Sequence, residues 1–276
     1  MLLGEGTLML RAASGDLTFP LAANFEIFGP DTLMVNRNAA VWLDADRRVF
    51  LAAELLPDLD ALGPTLNAPA QPQPTGETRS FGPLTMITRA GWGAADPDMN
   101  AAEEHGVFDA QSNPEGWLVY PGSLADWLNT IVVHHTALAF TEGPREIQVA
   151  HIRTSGYADI AYHFLIDSFG TLYEGRSLGV RGSHTGGHNT GTVGIALIGN
   201  FQLIPALQIQ MISLTALVKT LAEQVPITHL AGHRDFQPGE TECPGSNLEA
   251  LLPGLAADVG LQYGTGGYVP PPWATP

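Results

Sequence analysis

The chain has 276 residues, of which 45% are hydrophobic and only 14% are charged, so it can bury a substantial core. Its 28 acidic residues outnumber its 12 Lys and Arg residues, giving a formal net charge of −16 at pH 7. This charge argues against a nucleic-acid binder, because affinity for the phosphate backbone depends on Lys and Arg. We also expect no membrane insertion, since no apolar run approaches ~20 residues, and no signal peptide, since the first residues lack a positively charged region.

Residues 1–63 are predicted to form a small β-rich module. Short apolar runs such as "GTLMLRA" and "DLTFPLA" alternate with turn residues, a pattern that is typical of strands. Residues 64–83 are rich in proline and have no periodicity, which predicts a linker. A second domain is expected over residues 84–260, followed by an irregular tail rich in Gly and Pro over residues 261–276.

The second domain shows strand and helix patterns in alternation. The β-branched run "TIVVHHTA" predicts a buried strand, and further strands are predicted at "IAYHFLID", "TLYEGR", "TVGIALIGNF" and "PITHLAGH". Helices are predicted at "GPREIQVAHIRTSG", which has Pro near its start and Gly at its end, and at "ALQIQMISLTALVKTLAEQ". The alternation indicates an α/β sheet with helices packed on it.

Cys243 is the only cysteine, so an intrachain disulfide is excluded. A free cysteine is usually a small buried hydrophobe. Here the neighbours, in "GETECPG", form a polar turn that suits an apolar core residue poorly. The two remaining interpretations are a nucleophile, which needs a nearby base, and a metal ligand, which needs His or carboxylate companions.

The histidines are unevenly distributed, since none of the nine precedes His105. With a loop cysteine they make a mixed His/Cys zinc site plausible, in which three protein ligands leave an open position for water. Neighbouring residues of a strand point to opposite faces, so at most one of His134 and His135 can join a given metal. The residues alone do not say which. The candidate groups are His134 with His135, His163, His184 with His188, and His233.

Several motifs together resemble one known family. "ITRAGWGA", "TIVVHHTA", "DIAYHFLIDSFGTLYEGR", "GSHTGGHNTGTVGIALIGNF", "AGHRD" and "TECPG" occur in the order and at the intervals found in type 2 N-acetylmuramoyl-L-alanine amidases, the family of peptidoglycan recognition proteins and phage lysozyme-type amidases. The resemblance covers roughly residues 84–255. It implies a central mixed β-sheet flanked by helices.

The resemblance also implies roles for individual residues. It implies Zn²⁺ held by His134, His233 and Cys243, with His135 on the opposite face of its strand. It places Tyr162 and Thr241 beside the reacting groups, Tyr162 as a base or only as a hydrogen-bond donor, and it places His184 and Asn189 in contact with the substrate. Arg234 and Asp235 are predicted to be structural, for instance by orienting a ligand histidine.

The leading hypothesis from this resemblance is zinc-dependent hydrolysis of the amide bond between N-acetylmuramic acid and L-alanine in peptidoglycan. The alternative is a noncatalytic module that recognises wall peptide. With no signal peptide, we expect synthesis in the cytoplasm and action on the cell wall after release or delivery, as a phage endolysin or as a lysin carried by a particle. Residues 1–63 could then dock to a phage or injection-type particle, or bind the wall.

Overall fold

The computed structural model describes residues 76–104, 117 and 119–269, together with the backbone of six short strands within residues 2–51. The chain divides into two compact units, Met1–Gln73 and Pro74–Pro276. The remainder of the predicted N-terminal module, residues 64–75 of the predicted linker, and residues 270–276 of the predicted tail lie outside the described residues.

The strands of the first unit pair in antiparallel hairpins and ladders, as expected for a β-rich segment. The boundary of the module at residue 63 stays a prediction. The pairs are β1 (Leu2–Leu3) with β4 (Phe25–Glu26), β2 (Gly6–Ala12) with β3 (Gly15–Leu21), and β5 (Val41–Leu43) with β6 (Val49–Leu51).

The second unit alternates strands and helices. Its strands are β7 (Thr78–Phe81), β8 (Leu84–Ile87), β9 (Thr130–His135), β10 (Phe164–Ile166), β11 (Leu172–Glu174), β12 (Thr192–Leu197), β13 (His229–Gly232) and β14 (Gln262–Tyr263). Its α-helices are α1 (Arg89–Trp92), α2 (Pro144–Arg153), α3 (Gln208–Gln224), α4 (His233–Phe236), α5 (Ser246–Glu249) and α6 (Leu252–Asp258).

These strands form one eight-stranded sheet in the order β14-β13-β9-β12-β10-β11-β8-β7. The pairs β13–β14, β13–β9, β9–β12, β12–β10 and β11–β8 are parallel, whereas β10–β11 and β7–β8 are antiparallel. The predicted α/β fold with a central mixed sheet and flanking helices is therefore confirmed.

The core lies around the two central parallel strands. Every residue of β9 and β12 is buried, which explains why neither segment shows the alternation of apolar and polar residues that marks a half-buried strand. Helix α3 covers the sheet with Leu214, Leu217, Val218 and Leu221, a spacing that places all four side chains on one helical face.

The ends of the second domain differ from the sequence prediction in two places. Thr78–Phe81, predicted as the end of the linker, forms edge strand β7 in a hairpin that turns at Gly82, where φ is 57°. Three of the four β7 side chains are exposed, so the segment lacks the apolar pattern that marks a strand. Gln262–Tyr263, predicted as irregular tail, forms β14 because its backbone extends the sheet beside β13.

Among the described residues, none of the helices is both long enough and apolar enough to cross a membrane.

Candidate metal centre and groove

Three of the predicted ligands converge at the carboxyl ends of neighbouring strands. The register of β13 on β9 sets Gly232 opposite Val133, so the next residues, His233 and His134, lie side by side. Their ring centroids are 4.6 Å apart. The loop after α4 returns Cys243 to the same point, because the N–H of Arg234 donates to the Cys243 carbonyl over 2.9 Å. One potential ligand atom from each of the three side chains lies within 4.8 Å of the others.

The donor set fits zinc in both chemistry and spacing. Two imidazole nitrogens and one thiolate sulfur are typical zinc ligands, and three protein ligands leave a fourth position open. Zn–N and Zn–S bonds of ordinary length in a tetrahedral site separate nitrogen and sulfur by roughly 3.5 Å. The distance from His134 Nδ1 to Cys243 Sγ is 3.5 Å. The geometry is thus already close to that of a mixed His/Cys site.

The electrostatic surroundings suit neutral ligand imidazoles. Burial, reinforced by the neighbouring His184 and His233 rings, lowers the pKa of His134 well below its usual range. Burial also lowers the pKa of His233. Both rings are therefore unprotonated at neutral pH, as a metal ligand must be.

The surroundings of Cys243 disfavour a free thiolate nucleophile. Burial raises the pKa of its thiol to about 12. The N–H of His135 donates to Sγ over 3.4 Å, but the pKa stays high, so at neutral pH the thiolate would require a bound cation. His135 also lines the groove, but its Nδ1 is engaged elsewhere, since it accepts a hydrogen bond from the Phe201 N–H over 3.2 Å.

A groove of about 500 Å³ opens over the three ligands. The predicted residues Tyr162, Thr241 and His184 all line it. The Tyr162 ring centroid lies 5.2 Å from that of His134. The Thr241 hydroxyl oxygen accepts the N–H of Cys243 over 3.1 Å, which leaves the hydroxyl proton free to donate into the groove.

His184 also contacts a predicted ligand directly. Its Nδ1 lies 3.0 Å from His134 Nε2 and 2.9 Å from the hydroxyl oxygen of Thr185. The ring is nearly closed off from solvent, with 6% of its surface exposed. The structure thus brings His184 to the metal centre as well as to the wall of the groove.

Asn189 is not among the described residues that line the groove. Its side-chain oxygen accepts the N–H groups of His184 and Thr185, each over 2.7 Å. The structure thus shows Asn189 holding the loop that carries His184. Its contact with substrate stays a prediction.

Arg234 and Asp235 have structural contacts, as predicted, but neither orients a ligand histidine. The Asp235 carboxylate accepts the N–H of Gly232 over 2.8 Å, and the Arg234 guanidinium donates to the carbonyl of Glu242. The first contact caps the start of α4, and the second ties α4 to the cysteine loop.

The sequence prediction missed His151, which lines the groove from the last turn of α2. Its Nδ1 accepts the N–H of Ala161 over 3.0 Å, so in the neutral ring Nε2 carries the proton. Its ring centroid is 5.5 Å from that of Tyr162. His151 is a single histidine on a helix with no short motif around it. Its place in the groove is therefore visible only from the packing of α2.

His163, which was predicted on a strand, lies just before β10.

The chain is thus an α/β protein whose mixed sheet presents, below an open groove, two histidines and one cysteine that could hold a metal ion. Comparison with known proteins then specifies the family. The sequence profile of N-acetylmuramoyl-L-alanine amidases matches residues 125–246. Peptidoglycan-recognition protein SC2 of Drosophila melanogaster is 36% identical over 136 residues, covering 46% of this chain and 73% of that protein. The chain belongs to this amidase family, the type 2 amidases.

Similar solved structures include both enzymes and recognition proteins. The endolysin N-acetylmuramoyl-L-alanine amidase LysCS from Clostridium intestinale is 37% identical, with a TM-score of 0.44, covering 49% of this chain and 85% of that one. Drosophila peptidoglycan recognition protein SD is 30% identical, with a TM-score of 0.48, covering 60% of this chain and 91% of that one.

Proposed function

We propose that this protein is a zinc-dependent amidase that hydrolyses the bond between N-acetylmuramic acid and L-alanine in peptidoglycan. The observation that carries the proposal is the convergence of His134, His233 and Cys243 at the base of an open groove that Tyr162 and Thr241 also line. The family membership supplies the substrate class, since the matching profile is that of N-acetylmuramoyl-L-alanine amidases.

The ligand set supplies the metal chemistry. His134, His233 and Cys243 would hold Zn²⁺, which when bound polarises the amide carbonyl as a Lewis acid and makes water easier to deprotonate. Two neutral imidazoles and one thiolate leave one net positive charge at such a site, which favours an anionic nucleophile.

The groove residues contribute hydrogen-bond donors. Burial, and then the nearby Cys243, raises the pKa of Tyr162 above its usual range, so the phenol keeps its proton and can donate it. The Thr241 hydroxyl can also donate, because its oxygen already accepts from Cys243. Donors in such positions stabilise negative charge that develops on the carbonyl oxygen in the transition state. His151 Nε2 adds a third neutral donor for the amide groups of a stem peptide.

The second candidate function is recognition of wall peptide without cleavage. It is favoured by the names of similar proteins such as peptidoglycan-recognition proteins SC2 and SD of Drosophila melanogaster. The thiol of Cys243, with Sγ 3.5 Å from His134 Nδ1, favours catalysis instead, because recognition alone requires no metal centre.

The deciding experiment incubates purified peptidoglycan with zinc-replete protein and with chelator-treated protein, and identifies the released ends by mass spectrometry. We expect free stem peptides that begin with L-alanine, produced only in the presence of zinc. If the zinc-loaded protein binds the wall but leaves it intact, the recognition function would replace the amidase function.

The ligand assignment has its own test. The Cys243→Ala variant should lose zinc and cleavage together, because two histidines alone form a weak zinc site. The exposed Gln208→Ala variant serves as the control and should keep both. Near-normal cleavage by Cys243→Ala would remove Cys243 from the site.

The delivery route stays a prediction. We propose that residues 1–63 dock to a particle or bind the wall, after synthesis in the cytoplasm. The 276-residue chain and a chain that begins at residue 74 can each be immobilised and compared for wall binding. Equal binding by both would rule out a wall-binding role for the N-terminal residues.

A further inference from the structure

The proposed ligand His233 has a hydrogen-bond partner that no motif predicted. Its Nε2 lies 2.6 Å from the amide oxygen of Gln237. An amide oxygen can only accept a hydrogen bond, so Nε2 must carry the proton. In a neutral imidazole the other nitrogen, Nδ1, then has the free lone pair that a metal requires.

Gln237 is confined where it makes this contact. It lies four residues after His233, directly beyond the end of α4, and its carbonyl accepts the N–H of Glu240 over 3.1 Å. Its amide nitrogen packs against the loop that also carries His184: a Cβ added at Gly186 would lie 3.2 Å from that nitrogen. The amide is thus held between the His233 ring and this loop.

The carboxylate nearest to His233 in sequence is that of Asp235, and its described hydrogen bond is to another group. Asp235 accepts the N–H of Gly232 over 2.8 Å. The other ligand histidine, His134, likewise has a neutral partner, since its Nε2 lies 3.0 Å from His184 Nδ1. Both imidazoles of the proposed site are therefore oriented by neutral groups.

We propose that Gln237 is a positioning residue for the zinc site: it holds His233 in the tautomer that presents Nδ1 to the metal, and its neutral amide leaves the site its positive charge. This inference rests on the proposed zinc site. A partner that accepts from a ligand histidine fixes the orientation of the ring and tunes its basicity.

A carboxylate in the same position would act differently from an amide. It would accept the same proton but increase the basicity of His233, which should tighten zinc binding. It would also reduce the net positive charge near the groove, which should slow cleavage at saturating zinc. A role limited to packing would not produce these opposite effects.

The experiment measures the zinc dissociation constant by competition with a chromophoric chelator, and the cleavage rate at saturating zinc. Gln237→Met, which removes the acceptor, should weaken zinc binding about 10- to 100-fold. Gln237→Asn should weaken it similarly, because its side chain is one methylene shorter. Gln237→Glu should bind zinc at least as tightly as the unsubstituted chain and cleave more slowly. The exposed Gln208→Met variant is the matched control and should change neither quantity.

The outcomes separate this inference from the proposed function. Failure of the unsubstituted chain to bind zinc would overturn both. Normal zinc binding by the unsubstituted chain, with an unchanged dissociation constant in Gln237→Met and Gln237→Asn, would overturn the role of Gln237 alone. The melting temperatures of the chelated variants show whether a loss of affinity reflects unfolding, and Gln237→Glu must then restore zinc binding for the inference to stand.

Discussion

Tyr162 lies where a hydrogen-bond donor could act on the reacting carbonyl without acting on the metal. Its ring is 5.2 Å from the His134 ring, and the three proposed ligands are two imidazoles and a thiol rather than a phenol. The Tyr162→Phe variant should therefore keep zinc binding and lose cleavage rate by about 10²- to 10³-fold, the usual cost of one transition-state donor. The rate on soluble muramyl peptide at saturating zinc is the measurement.

A substitution of Thr241 provides a second cleavage rate for comparison. Thr241→Val removes a donor that is half exposed, so its rate should fall by less than that of Tyr162→Phe. An unchanged rate in Tyr162→Phe would remove the phenol from the chemistry.

The buried imidazole of His163 should make the stability of the fold depend on pH. It is fully buried, its Nδ1 accepts the N–H of Gly194, and its Nε2 contacts the carbonyl of Val180, each over 3.0 Å. Burial lowers its pKa from 6.5 to about 4. Protonation would set two donors against each other at Nδ1, so the folded state favours the neutral ring.

The sign of the effect follows from this lowered pKa. Between pH 6.5 and about 4 the unfolded chain binds a proton that the folded chain does not, so stability is complete above pH 6.5 and is lost as the pH falls. The loss from this one group reaches about 3.4 kcal/mol once the pH is well below the folded-state pKa. Urea unfolding at pH 7.5 and pH 5 should show a smaller difference for His163→Asn than for the unsubstituted chain. Equal differences would contradict the assignment.

At the residue scale, sequence reasoning named the three proposed ligands, which the structure brings together, but not the residues that contact them. His134, His233 and Cys243 could be predicted because their motifs resemble those of a known family. Gln237 and His151 could not, because their roles depend on distances across loops and on the packing of α2, which no short motif encodes. Asn189 was predicted at the substrate, whereas its described contacts are with the loop backbone.

Among the elements, α3 carries one buried polar side chain that links it to the sheet. Gln210 is fully buried, and its amide nitrogen donates to the carbonyls of Ile198 over 3.0 Å and Ile166 over 3.4 Å. These carbonyls lie at the carboxyl ends of β12 and β10. The side chain thus fixes where the first turn of α3 meets two parallel strands.

Replacing Gln210 with Leu should destabilise the fold by about 1–3 kcal/mol, because the volume is similar but buried carbonyls lose a donor. The exposed Gln208→Leu variant, two residues earlier on the same helix, should change stability by less than ~0.5 kcal/mol. Urea unfolding of both variants tests the prediction. Equal stability of Gln210→Leu and the unsubstituted chain would show that other groups satisfy these carbonyls.

Long, strongly patterned elements were predictable, and short edge elements were not. β9, β12 and α3 are specified by runs of buried residues whose period or composition is visible in the sequence. β7 and β14 are strands only because their backbones pair with a neighbour, and their side chains are mostly exposed or half-buried. The tertiary pairing, which the sequence pattern does not reveal, decides such segments.

At the scale of the whole molecule, the formal charge of −16 sets the response to salt. Many cell walls carry anionic polymers, and an acidic protein is repelled by them over about 30 Å at 0.01 M ionic strength but only about 8 Å at 0.15 M. The initial rate of wall cleavage should therefore rise between these two concentrations. Turbidity of purified walls, followed over time, is the measurement.

The same titration on two other substrates isolates the cause. The rate on a short muramyl peptide should change little, because a small substrate lacks the polymer field, and walls stripped of their anionic polymers should behave in the same way. The groove is lined by histidines, hydroxyl groups and two glutamates, Glu240 and Glu242, and its described lining includes no Lys or Arg that could attract an anionic polymer. Recognition of the glycopeptide should therefore depend on hydrogen bonds rather than on long-range charge. A steep loss of activity with salt on all three substrates would instead mean that charge attraction holds the substrate, despite the negative charge of the chain.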